Sequence, residues 1–211
     1  MKAVFFDSDM QDSANGRFDL AVRLLFAILF VVLLPSAARP EDWPGAWLDS
    51  APVQWNQPGV SLPKLPQDLK RNIAPDYCKA YEPAVNSQEE RAVAEAGWIV
   101  VASSQGGNRI TVVVGAGGED GMCRPDPYEN FVFVRGEFAG TLSPQLMRAR
   151  ADGSVNKVEF GGPRRIMAYF SRYTDSDPLC CPSRVSQATY EIRERSGKPV
   201  LVLVGVRTRP T

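Results

Sequence analysis

The sequence predicts an α+β domain: one short N-terminal helix followed by a curved antiparallel sheet of about seven strands. Three observations predict it. Ser87-Gln88-Glu89-Glu90 is a capping box, the mark of a helix start. From Trp98 onward, short β-branched and aromatic runs recur between glycine-containing turns. Gln187–Arg193 alternates, with Ala188, Tyr190 and Ile192 on one face and Thr189, Glu191 and Arg193 on the other, as in a sheet with one wet face. A helix set apart from a run of strands is the α+β pattern.

The chain begins differently. Residues 24–34 read LLFAILFVVLL and are followed by Pro35-Ser36-Ala37-Ala38. An apolar core of that length, a helix breaker, and small residues at −3 and −1 predict a secretory signal cleaved after Ala38. Extended back to Ala21 the run still falls short of the ~20 apolar residues of a spanning helix, and it includes Arg23. Membrane association is expected only through residues 21–34, if they stay uncleaved. Asp7, Asp9, Asp12 and Asp19 outweigh Lys2 and Arg17 before the core, whereas an export signal opens positive. A true start near residue 22, with Val22 read as the initiator, restores a well-formed signal. The expected compartment is the periplasm or cell envelope, the alternative being an anchor made by the uncleaved signal.

Residues 39–70 form a Pro/Trp-rich extended strap. Pro40, Pro44, Pro52, Pro58, Pro63 and Pro66 favour extended chain. Trp43, Trp47 and Trp55 are too many for a plain linker. They either dock on the domain or offer a partner-binding arm, since indoles serve both uses.

The domain proper is expected over 71–211. Ala92, Val93 and Ala96 continue the helix from Ser87, and Gly97 stops it. Trp98–Ser103 and Ile110–Val114 make a hairpin across Gly106-Gly107. Phe131–Val134 and Glu137–Ala139 make a second across Arg135-Gly136, with glycine available for positive φ. Ile166–Tyr173, Gln187–Arg193 and Val200–Val206 complete the strands, the last apolar enough to be central. Residues 142–164 are polar and carry no clear pattern.

Composition narrows the chemistry. Of 211 residues, 24 are Lys or Arg, 24 are Asp or Glu, and none is histidine, so imidazole catalysis and His-zinc sites are excluded. A net charge of zero argues against a nucleic-acid partner. Gly115–Gly121 follows a strand like a phosphate loop, but Pro125 and Pro127 forbid the helix such a loop must open. Its Gly117-Gly118-Glu119-Asp120 shares letters with cyclic-dinucleotide synthases without their context. Glu119, Asp120 and Asp126, with Asp175 and Asp177, could offer calcium oxygens, but without an EF-hand spacing. No Gly-x-Ser-x-Gly elbow occurs. The sequence therefore assigns no catalytic, cofactor-binding or metal-ligating residue.

Cys78, Cys123, Cys180 and Cys181 are an even set in an exported chain, and so are expected in disulfides. Three connectivities are open. Neighbours in extended chain point opposite ways, which favours Cys180 and Cys181 each reaching a separate distant partner. A vicinal redox pair is the alternative.

Phe131-Val132-Phe133-Val134-Arg135-Gly136-Glu137-Phe138-Ala139-Gly140-Thr141 and Arg172-Tyr173-Thr174-Asp175-Ser176-Asp177-Pro178-Leu179-Cys180-Cys181-Pro182-Ser183 resemble the LppP/LprE lipoprotein family, as does Cys78 before a short helix. The resemblance spans roughly 76–206 and implies a bacterial envelope protein with no assigned activity. The chain departs from that pattern in having no lipobox cysteine after the apolar run. The expectation is an exported, disulfide-stabilised binding or structural module, acting on an envelope partner or small ligand. The alternative is an envelope enzyme, either a carboxylate-based hydrolase or a thiol–disulfide protein using Cys180-Cys181.

Overall fold

Ser87 caps a single α-helix, α1 (Gln88–Glu95), and the capping box forms in full. Ser87 Oγ accepts from Glu90 N at 3.1 Å, and Glu90 Oε2 accepts from Ser87 N at 2.9 Å. Gly97, at φ 95°, turns the chain out of the helix. The other Glu90 oxygen accepts from Ser103 Oγ at 2.5 Å, fastening the helix start to the first strand. That bond comes first among those holding the Glu90 carboxyl down at about 2. This computed structural model describes residues 45–50, 53–67, 69, 77–81 and 83–211. The expected signal over 1–38, the start near residue 22 and Trp43 lie outside them.

Eight strands follow: β1 (Ile99–Gly106), β2 (Ile110–Ala116), β3 (Tyr128–Val134), β4 (Glu137–Thr141), β5 (Ser154–Phe160), β6 (Arg165–Arg172), β7 (Arg184–Arg195) and β8 (Lys198–Pro210). They form two antiparallel sheets of four, ordered β1-β2-β3-β4 and β5-β6-β7-β8. The expectation of one curved sheet of about seven strands is thus corrected: the strands divide into two sheets, and the protein is mostly β with little helix. The additional strand, β5, lies in the stretch that carried no pattern. It is an edge strand paired only with β6, and a bulge between Val155 and Lys157 breaks its alternation. The tight hairpins behave as their sequences imply. Arg135-Gly136 and Ser196-Gly197 both take positive φ at the two central positions, the turn that matches strand twist.

The sheets face one another across the main core. Ile110, Val112 and Val132 from the first meet Ile166, Phe170, Tyr190 and Leu201 from the second. Tyr190 is fully buried, and its hydroxyl donates to Leu142 O at 2.5 Å. The outer face of the first sheet is covered by α1. There Val93 packs with Trp98, Val113, Phe131 and Phe133.

The strap closes one side, where β4 meets β8. Trp47 stands edge-on to Phe170 at 5.1 Å and to Trp55 at 5.3 Å. Trp55 Nε1 donates to Thr141 Oγ1 at 3.1 Å. Asn56 bridges both strands: its Nδ2 donates to Thr141 O and Leu201 O, and its Oδ1 accepts from Thr141 N. A Cβ at Gly140 would overlap that amide, which is why glycine stands there. The 3-10 turn Ala46–Asp49 brings Asp49 onto Arg172, whose side chain is 2% exposed. Arg172 Nε also bonds Asp152 Oδ1 at 2.9 Å, and Nη1 bonds Ser186 Oγ at 3.0 Å.

The cysteines pair as Cys78–Cys123 and Cys180–Cys181. The favoured arrangement, each of the adjacent pair bonded to a distant cysteine, is corrected. Its premise was extended chain at 180–181. Instead Cys181 N bonds Pro178 O, so the pair lies in a turn of the β6–β7 loop. Cys78 and Cys123 are brought together by neighbouring segments, Tyr77 Oη donating to Gly121 O at 2.8 Å.

Candidate functional site

β1 and β5 are the free edges of their sheets, and a cleft of about 590 Å³ lies between them. Such a volume is ordinary for a small-molecule site. At the far end the edges pinch together, because Phe160 of β5 lies on Gly106 of β1; a Cβ at 106 would overlap the ring. Val101 from β1, Val114 from β2, and Val155 and Val158 from β5 line the apolar wall, and Tyr128 joins them from β3. Tyr128 is held by its hydroxyl, which donates to Val155 O at 3.3 Å across the gap between sheets. Burial raises the Tyr128 phenol well above its ordinary value, so it stays a neutral donor.

One polar group in this wall stands out. Asn130, on β3, is 2% exposed and lines the cleft. Its backbone is satisfied: its N–H donates to Glu129 Oε1 at 2.8 Å, and its carbonyl accepts from Leu142 N. Among the described residues nothing accepts from its Nδ2. A buried amide donor without an acceptor is costly enough to require an explanation. At the mouth stand Arg124, Arg150 and Lys157. Arg124 is bonded to Asp120, and Lys157 to Glu159. Among the described residues no carboxylate pairs with the exposed Arg150.

Glu129, beside Asn130, is 4% exposed. Burial holds its carboxyl well above the usual range, against the backbone bonds from Asn130 and Ser143. The folded protein keeps this proton where the unfolded chain loses it. Its stability is therefore full below the ordinary value of 4.5 and falls as pH rises toward the folded value. Glu129→Gln should match the parent in urea melts at pH 4 and exceed it at pH 8. A constant difference across that range would contradict the assignment.

The acidic loop residues have local uses. Asp120 accepts from Met122 N and Arg124 N and closes its own turn. Asp126 meets Arg148 at 3.1 Å. Asp177 accepts from Thr174 N, Ser183 N and Ser183 Oγ, which hold its carboxyl down at about 2. Among the described residues no three Cys, Asp or Glu side chains converge to hold a metal, and Glu119 is the one carboxylate lining the cleft. Trp47 and Trp55 are half-buried under the strap. Cys180 and Cys181 are exposed, and Cys78 is fully buried. Asn130 carried no sequence signal, since a lone asparagine inside a strand pattern has no motif.

The comparisons with known proteins bear on the strand-rich part. Residues 103–195 match the LppP/LprE lipoprotein family. The matched stretch holds most of β1, all of β2–β6 and nearly all of β7. It takes in both segments that carry the resemblance, the hairpin ending at Thr141 and the run through Cys180-Cys181. It also contains Asn130, Arg150 and most of the cleft lining. The lipoprotein match indicates an envelope-associated protein. No curated protein and no solved structure matches the chain. Among the described residues no helix is long and apolar enough to cross a membrane.

Proposed function

We propose that this is an exported, disulfide-stabilised envelope protein that works by binding a small ligand in the cleft between β1 and β5. The observation that carries the reading is the apolar cleft with a buried, unanswered amide donor at Asn130. Two free strand edges held apart over a filled core make a recess without weakening the fold. A carboxylate-based hydrolysis draws less support, because catalysis by paired carboxyls needs a second group facing the first, and Glu119 alone lines the recess.

Nile red, an uncharged apolar dye, tests the reading directly. The protein should raise its fluorescence saturably. Val158→Trp, on an edge strand where an indole is tolerated, should fill the recess and abolish the signal while the thermal transition survives. An unchanged signal in Val158→Trp would place the dye elsewhere and remove the cleft as the binding site.

A further inference from the structure

We infer that the cleft selects an amphipathic monoanion: an apolar body against the valines, an oxygen accepting from Asn130 Nδ2, and a negative head on Arg150. This rests on the binding reading above and gives it a ligand class.

Three features of the lining set that class. The wall of Val101, Val114, Val155 and Val158 is continuous from both sheets and calls for hydrocarbon. Asn130 Nδ2, 98% removed from solvent on a residue basis, calls for an oxygen acceptor deep in the recess. A purely apolar ligand would leave that donor unanswered and bind less well than one bearing an oxygen. The mouth then fixes the sign of charge. Of its three cations, Arg124 and Lys157 are already neutralised by Asp120 and Glu159, outside the lining. Arg150 is not, and its guanidinium offers the forked donor set that suits a carboxylate or phosphate. Glu119, itself 5% exposed in the lining, disfavours a second negative charge further in. A single anionic head at the mouth with an uncharged body inside satisfies every group.

A free alkyl carboxylate and an anionic lipid share this chemistry. Calorimetric titration of the full folded chain with decanoate and with decanol separates head from body. Decanoate should bind about tenfold more tightly than decanol, the worth of one charge-assisted hydrogen bond. Arg150→Glu, a change at an exposed loop position, should remove that preference and leave decanol unchanged. Phosphatidylglycerol vesicles carrying a labelled lipid identify the source: transfer of label to the protein marks a lipid ligand, and decanoate binding without transfer marks a free acid. Equal affinity for decanoate and decanol, or an unaltered preference in Arg150→Glu, overturns the anion assignment. If Nile red binding persists in that case, the cleft remains a binding site and only the ligand class fails. If Nile red binding is absent too, both fall.

Discussion

Arg172→Met should destabilise the protein by about 3–5 kcal/mol, read as a lowered urea midpoint at unchanged slope. The guanidinium is 2% exposed and makes three kinds of contact: to Asp152 at 2.9 Å, to both oxygens of Asp49, and to Ser186 Oγ at 3.0 Å. Methionine keeps the length and the apolar stem but leaves the Asp152 carboxylate, 5% exposed, without its cation. The cost lies mainly there. Asp152→Asn in the same chain should recover part of it, because the stranded charge is then gone. Asp49 contributes less, since its side chain is 55% exposed, and Asp49→Ala should cost below about 1 kcal/mol.

Acid resolves the Asp49 share. The bond from Arg172 holds the Asp49 carboxyl below its ordinary 3.8, with burial opposing. A depressed value in the folded state stabilises above the unfolded value and is lost as pH falls through the folded one. Parent and Asp49→Asn should therefore differ at pH 6 and converge below 3.8.

What could be read in the sequence was what local chemistry decides. The capping box at Ser87 and Glu90 needs only four residues, and it formed with both of its bonds. The two-residue turns at Arg135-Gly136 and Ser196-Gly197 are likewise decided by residues able to take positive φ. The division into two sheets is not local. It depends on where the chain between Thr141 and Ser154 crosses from β4 to β5, and β5 is a bulged edge strand with Asn156, Lys157 and Glu159 in it. Such a strand satisfies pairing geometry on one side only and so imposes no alternation. The cleft was hidden for the same reason: it is made by two edges about fifty residues apart in sequence, and Asn130 acquires meaning only when Val101 and Val155 flank one recess with it. The strap was open to two readings because a docked indole and an offered one look alike in a sequence. Trp47 against Phe170, and Trp55 against Thr141, account for two of the three.

The disulfides divide the same way, and removing them should have opposite consequences. Cys78–Cys123 joins residues 45 apart and draws the segment before α1 onto the β2–β3 loop. Closing a loop of that size restricts the unfolded chain by about 4 kcal/mol in the chain-entropy view. The paired change Cys78→Ser with Cys123→Ser should lower stability by most of that, and melting temperature correspondingly. Cys180–Cys181 closes no chain loop, so that entropy term vanishes. Its loop is held by other means: Asp177 binds Thr174 and Ser183, Tyr173 Oη donates to Leu179 O, and Thr211 N bonds Ser183 O. Cys180→Ser with Cys181→Ser should therefore shift stability by less than about 0.5 kcal/mol, as for other surface changes. Exposure adds a kinetic contrast. A limiting dithiol is oxidised to its own disulfide as it reduces a protein disulfide to two thiols, and attack requires access to sulfur. Thiol labelling followed by peptide mapping should find Cys180 and Cys181 first, while buried Cys78 stays bonded and the melting curve stays in place. A melting temperature that falls with those first two thiols would mean that the vicinal bond, and not the Asp177 network, holds the loop.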